Sequence, residues 1–225
     1  MMPTVQSGPR RGQSRPGARD PVPGPLRSAR CVAAALLAVA AGIAAPSTAA
    51  AHPDILMSYR LLFDLHDGTI GTIGESWTFD ATFSQELLAD FDRNGDGTFS
   101  PDESAAVERE VLPNLEAVRY FTYVDVDGAD VGGLTPTAFQ AAANDGIVTF
   151  ALALTLPEPV DPAQKTLKVD IEDPDFSVYA EPVPGHAASV RSDGSRSCVA
   201  DVGSGASAAS ADPTLIQTTI TVSCR

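Results

Sequence analysis

Apolar residues recur at every second position along five stretches of this chain, and that period restricts its fold more than any other feature. Ile55, Met57, Tyr59, Leu61, Phe63 and Leu65 share one parity. So do Ile73, Trp77, Phe79, Ala81 and Phe83 within 73–83, and Val148, Phe150, Leu152, Leu154 and Leu156 further on. Leu167, Val169 and Ile171 alternate with Lys168, Asp170 and Glu172, and Ile216, Thr218, Ile220, Val222 and Cys224 make the last set. Extended backbone sends successive side chains to opposite faces, so each stretch reads as a strand with one buried face. Asp-Gly pairs at 67–68, 127–128, 145–146 and 193–194 punctuate the chain, and Asp-Gly suits the left-handed backbone of tight hairpin turns. The expectation is a mainly β fold, an antiparallel Ig-like β-sandwich of seven or eight short strands.

One segment departs from this period. Over 84–119 the apolar spacing becomes helical, with Leu87, Leu88 and Phe91 on one face of a short first helix. Val107, Val111, Leu115 and Val118 then recur at four, four and three residues, and Pro113 is expected to kink or restart this second helix.

Between the two runs lies Asp92-Arg93-Asn94-Gly95-Asp96-Gly97-Thr98-Phe99-Ser100-Pro101-Asp102-Glu103. Calcium is a hard cation that takes six to eight oxygens, and the twelve-residue EF-hand loop supplies them at fixed positions. Asp92, Asn94 and Asp96 offer side-chain oxygens at alternate positions, and Gly97 permits the sharp turn that follows. Thr98 offers its main-chain carbonyl, Ser100 a hydroxyl or a bridged water, and Glu103 both carboxylate oxygens. Ser100-Pro101-Asp102-Glu103 is also a capping box with Pro at the first helical position. Glu103 thus has two uses, capping the helix without metal and turning to calcium when it binds. A single loop with three acidic ligands fits an affinity of about 10⁻⁴–10⁻³ M, as in extracellular modules. Asp125-Val126-Asp127-Gly128 lacks the acid spacing of a second loop and reads as a hairpin turn.

The formal net charge of −14 averages two different segments. Residues 1–51 hold six Arg and one acid, whereas 52–225 hold nine Lys and Arg against 28 Asp and Glu. The basic segment leads into an uncharged run, 31–45, of the length of a signal-peptide core and short for a membrane span. Ala49 and Ala51 form a small-residue cleavage pattern. Residues 1–51 therefore read as a signal peptide with a long basic front end, and 52–225 as a single β-sandwich domain with the EF-hand insertion at 84–119. Export to the periplasm or beyond, with no stable membrane anchor after cleavage, is the expectation. The acidity of the mature part argues against nucleic acid as a partner. Loss of Cys31 with the leader leaves Cys198 and Cys224, an even pair in an oxidising compartment, expected as one disulfide.

Cleavage after Ala51 makes His52 the first residue, where a free amine and an imidazole together suit copper or nickel. His66 precedes a turn and reads as solvated, and His186 lies in a Pro/Gly-rich loop. There is no nucleophile elbow, no phosphate-cradling glycine loop and no paired metalloprotease histidines, so a non-enzymatic protein is expected.

The order of motifs resembles an uncharacterised bacterial family. His52-Pro53 is followed by Glu75-Ser76-Trp77-Thr78-Phe79-Asp80, the loop at 92–103, Tyr120-Phe121-Thr122-Tyr123, Val126-Asp127-Gly128, Leu156-Pro157 and Asp173-Pro174-Asp175-Phe176. Members of that family, a domain of unknown function, are often described as periplasmic components of an ABC-type transport system, and many are encoded near nickel/cobalt efflux-type transporters. The resemblance spans most of 52–200. It implies an exported accessory protein with a membrane metal transporter as partner. Members commonly begin His-Pro-His, and here Asp54 replaces the third residue, which weakens a soft-metal site. Three functions follow as expectations: a calcium-binding accessory protein, a handler of nickel, cobalt or copper centred on His52, or a structural or adhesion module stiffened by calcium.

Overall fold

The alternating stretches become strands whose apolar parity forms one shared core. The computed structural model describes residues 54–194, 196–210, 214 and 216–224, all within the compact unit Ala50–Arg225. The leader expected over 1–51 and His52 lie outside the described residues. In chain order the elements are β1 (Ile55–His66), β2 (Thr69–Phe79), α1 (Ala81–Phe91), α2 (Pro101–Ala117), β3 (Thr122–Val126), β4 (Ala129–Val131) and β5 (Thr135–Asn144). There follow β6 (Ile147–Val160), β7 (Leu167–Ile171), β8 (Val178–Pro182), β9 (Ala188–Ser192), β10 (Cys198–Ala206) and β11 (Ile216–Cys224).

One sheet has the order β5-β6-β2-β1-β8, with β9 also paired to β1, and the other has the order β10-β11-β7-β3-β4. Met57, Tyr59, Leu61, Phe63 and Leu65 of β1 and the even-numbered apolar residues of β6 from Val148 to Leu156 are buried. They join Val124, Leu167, Val169, Ile171, Ile220 and Val222 of the second sheet in one core cluster. The fold is the expected mainly β sandwich, with a helix-loop-helix between β2 and β3.

Several expectations change in detail. The described strands number eleven, not seven or eight, and the sandwich is not purely antiparallel, since β8 and β9 both run parallel to β1. These two strands alternate as well, with Val178, Ala180, Ala188 and Val190 half-buried against the core, but at five residues each they are too short to stand out in the sequence. The second stretch ends as a strand at Phe79 rather than running to residue 83. The Asp80 carboxylate accepts the backbone N–H groups of Thr82 (2.8 Å) and Phe83 (3.1 Å) and starts α1, so Ala81 and Phe83 belong to the helix. The helical segment accordingly begins three residues before the expected 84. Helix α2 continues through Pro113 to Ala117 instead of restarting, with Val107 and Leu115 buried on either side of the proline. Ile216 is exposed, so the inward parity of the last strand starts later than expected.

The first three Asp-Gly pairs are hairpin turns with both residues at positive φ: Asp67 and Gly68 (49° and 78°), Asp127 and Gly128 (55° and 86°), Asp145 and Gly146 (50° and 76°). The fourth, Asp193-Gly194, joins β9 of one sheet to β10 of the other and makes no hairpin.

Two serines anchor the helices to the first sheet. Ser84 Oγ accepts the Val148 N–H at 3.0 Å, and Ser104 Oγ accepts the Ala141 N–H at 2.9 Å. After α2 the chain enters β3 through Arg119, Tyr120 and Phe121, all left-handed (φ 57°, 56° and 54°). That conformation costs about 1–2 kcal/mol per residue. The turn is held by the Arg119–Asp130 ion pair (2.8 Å), by the Arg119 guanidinium 4.6 Å from the Tyr123 ring centroid, and by the Thr122 hydroxyl on the Tyr120 carbonyl (2.8 Å).

Cys198 and Cys224 form the expected disulfide across directly paired positions of β10 and β11. The bridge closes a separation of 26 residues. Replacing both cysteines by serine is expected to lower stability by about 3 kcal/mol, read from urea unfolding as a lower midpoint with a steeper slope, because the unfolded chain becomes less compact. Among the described residues, no helix is long and apolar enough to cross a membrane.

Candidate metal centre

The loop at 92–103 is shaped by its own side chains before any ion is considered. Asp92 Oδ1 accepts the N–H groups of Gly95 (2.8 Å) and Asp96 (3.2 Å), and Asp92 Oδ2 accepts that of Gly97 (2.8 Å). Asn94 Oδ1 takes the Asp96 N–H at 2.9 Å, while Asn94 Nδ2 donates to Asp96 Oδ2 at 2.9 Å. Asp96 Oδ1 accepts the Thr98 N–H (2.9 Å) and its hydroxyl (2.7 Å). Gly95 and Gly97 have φ of 71° and 79°, which side chains tolerate poorly.

Glu103 closes the loop. Its carboxylate is buried, with Oε2 on the Ser100 N–H at 2.8 Å. The Ser100 hydroxyl accepts the Glu103 N–H at 3.4 Å, so the expected capping box at the start of α2 is present. Oε1 reaches back to the Arg93 N–H (2.8 Å) and the Asn94 N–H (3.4 Å) at the opposite end of the loop. One side chain thus ties the first residues of the loop to its last.

Hydrogen bonding favours the ionised form of Glu103 and of Asp96. The Glu103 pKa is lowered, first by the Ser100 hydroxyl and then by the Ser100 N–H, and that of Asp96 is lowered mainly by the Thr98 hydroxyl. Asp92, Asp96 and Glu103 do not form a cluster with ligand atoms all within 4.8 Å of one another. Each faces backbone N–H groups instead. The donor set is entirely oxygen: three carboxylates, an amide, a hydroxyl and the main-chain carbonyl of Thr98. That chemistry fits a hard divalent cation and not a soft one.

The histidines are not brought together. His52 lies outside the described residues, and His186 sits in the turn between β8 and β9. His66, at the end of β1, is exposed with Nδ1 3.3 Å from Asp193 and Nε2 3.5 Å from Asp67. The three side chains form a cluster with ligand atoms within 4.8 Å of one another. It arises because β9 ends beside the first hairpin, which sequence spacing could not reveal.

A second polar centre lies in the core, at an alternating position of β2. Glu75 shares the inward parity of Ile73 and Trp77 and is buried between the sheets. Trp77 Nε1 donates to Glu75 Oε2 at 3.0 Å, and Glu75 Oε1 lies 3.0 Å from Thr122 Oγ1. Burial pushes the Glu75 carboxyl up to about 8. Asp170 on β7 is pushed up to about 6, again chiefly by burial. The nearby Tyr59 hydroxyl is buried without a hydrogen-bond partner among the described residues, and its pKa is raised by that burial. Period two alone marks Glu75, because it is an acid at an inward position of a strand.

Comparison with known proteins gives a family but no activity. Among solved structures, the Biomphalaria glabrata acetylcholine-binding protein type 1 aligns over 88% of this chain and 99% of its own, at 13% identity and a TM-score of 0.36. A likeness that loose carries no argument. The "Uncharacterized 15.5 kDa protein in trpE 3'region" of Spirochaeta aurantia is 31% identical over 90 residues, 40% of this chain and 64% of that protein. The chain thus spans just under two thirds of that relative's length. A family described as "Protein of unknown function (DUF1007)" matches residues 37–215, most of the chain, and the protein belongs to that family.

Proposed function

We propose that this protein is an exported, non-enzymatic calcium-binding accessory protein whose site is the single EF-hand loop at 92–103, acting beside a membrane metal transporter. One observation carries the reading. Glu103, the closing residue of a twelve-residue loop between two helices, already reaches back to the Arg93 N–H at 2.8 Å. Asp92, Asn94, Asp96, Thr98, Ser100 and Glu103 would supply the oxygens. The ion would replace backbone N–H groups as the partner of the carboxylates, at the cost of hydrogen bonds the loop now makes. That competition favours a weak site, suited to the millimolar calcium of an extracytoplasmic space. The disulfide supports export, since such bonds persist in oxidising compartments.

Native mass spectrometry of the exported protein, with titration of calcium and of magnesium, tests this reading. One calcium per chain is expected, with magnesium weaker because it dehydrates reluctantly. Absence of calcium binding at 10 mM would end the proposal. The same spectra give the mature amino terminus, and a chain beginning elsewhere than His52 would exclude the amino-terminal nickel or copper site.

A further inference from the structure

A groove on the outer face of the first sheet has a composition at odds with the rest of the domain. Strands β8 and β9 both pair with β1, and the chain between them must step around Arg60. The Val183 N–H bonds the Tyr59 carbonyl at 3.0 Å, and the Leu61 N–H bonds the Ala187 carbonyl at 2.8 Å. Between these points the turn closes with the His186 N–H on the Val183 carbonyl (3.0 Å), and it forms a wall. The floor sets the small residues Ser76, Ala151 and Gly74 beside Arg60 and Leu62. Arg60, Ser76 and Ala151 stand in one row across β1, β2 and β6, and Leu62 and Gly74 stand in the next. Together they bound a hollow of about 520 Å³, the size of a small-molecule site.

The polar side chains that line this hollow are Arg60, Ser76, His186 and Ser189. None of the four has a hydrogen-bond or ion-pair partner for its side chain among the described residues. Arg119, Arg191 and Arg196 are each paired with an aspartate, whereas Arg60, like Arg93 and Arg109, has no such partner among the described residues. Among the described residues that line the hollow, Glu75 is the one acid. Glu75 lines it by position only, because its carboxyl points through the sheet to Trp77 and Thr122. In a region with 28 acids and nine bases, a concavity offering a guanidinium, an imidazole and two hydroxyls, its one acid turned into the core, is a local inversion of charge.

We propose that this groove binds an oxyanion, a carboxylate or phosphate group carried by a small molecule. The Arg60 guanidinium presents paired N–H donors that match two oxygens of such a group, and charge-assisted bonds of this kind are about twice as strong as neutral ones. Ser76, Ser189 and His186 line the same hollow and bring further donors for the remaining oxygens. The small residues of the floor leave room for the body of the ligand. The acidic surroundings oppose indiscriminate anion binding, so binding here reports the groove's own donors.

The test uses the mature, calcium-free protein, with inorganic phosphate and succinate titrated separately and followed by amide and side-chain NMR shifts. Saturable shifts confined to Arg60, Ser76, His186 and Ser189 are expected with at least one probe. Response to phosphate alone or to succinate alone tells which group is preferred. Arg60→Gln should weaken binding by at least about tenfold. Arg109→Gln, which alters an exposed arginine on α2, should leave it unchanged. No saturable shift with either probe, or equal loss in both variants, overturns the proposal. Because calcium is absent throughout, failure of this site and failure of the calcium site are separate results.

Discussion

Glu75→Gln is expected to stabilise the protein, by roughly 4 kcal/mol at pH 8, and to remove most of the pH dependence of stability between pH 6 and 8. The reason is a count of protons. Thr122 Oγ1 has one hydrogen and lies 2.8 Å from the Tyr120 carbonyl, which can only accept it. The 3.0 Å contact between Thr122 Oγ1 and Glu75 Oε1 is therefore satisfied when Glu75 carries the proton and donates it. Trp77 donates to the other oxygen, so a neutral carboxylic acid completes the chain without an orphan group. Its pKa of about 8 agrees with this geometry and follows from burial.

The sign follows from linkage. Below the ordinary glutamate pKa both folded and unfolded chains hold this proton, and its contribution is fully present. As pH rises toward 8 the unfolded chain releases the proton and the folded chain keeps it, so stability falls by up to about 1.4 kcal/mol per pH unit. Asp170, raised to about 6, contributes its own loss mainly below pH 6, so the window from 6 to 8 belongs to Glu75. Gln keeps the shape, a donor for Thr122 and an acceptor for Trp77, and has no proton to lose. Urea unfolding of both proteins at pH 5, 6, 7 and 8 checks this. A variant that is less stable than the parent at pH 8, or that keeps the parent's slope, would show that Glu75 is ionised in the fold.

The same residue marks the limit of what the sequence makes legible. Period two finds the inward faces of β1, β6 and β7 because burial of a continuous face depends on parity alone. It places Glu75 inward too, but says nothing of the partner, Thr122, 47 residues away on the other sheet. The loop at 92–103 is legible because its ligands are contiguous, and the capping box because it spans four residues. The parallel strands β8 and β9, the groove beside Arg60 and the cluster at His66 arise from pairings between segments more than a hundred residues apart. Nothing in local spacing encodes such a pairing. The misplaced end of the second strand has a local cause. A residue of either parity can cap a helix, so alternation runs past Asp80 without registering that its carboxylate has turned the chain.

Glu103→Gln should separate the two uses of that side chain. In the metal-free protein the carboxylate accepts at both oxygens, from Arg93 and Asn94 on one side and from Ser100 on the other. Gln has one acceptor, so one set of N–H groups loses its partner, and the metal-free Tm should drop. Calcium should also lose its bidentate closing ligand, with affinity falling by about a hundredfold. For the parent protein, if the loop binds as proposed with a dissociation constant of about 10⁻⁴–10⁻³ M, 10 mM calcium would add about 1.4–2.7 kcal/mol of stability. In a domain of this size that is a rise in Tm of about 3–10 °C, which the variant should lack. Asp92→Asn serves as the second test. The amide keeps one acceptor, for either the Gly95 and Asp96 N–H groups or that of Gly97, so metal-free stability should fall here too, and the lost ligand charge should also shrink the calcium-induced rise in Tm. If Glu103→Gln lowers the metal-free Tm yet leaves the calcium-induced rise intact, Glu103 is a helix cap alone and the calcium site lies elsewhere.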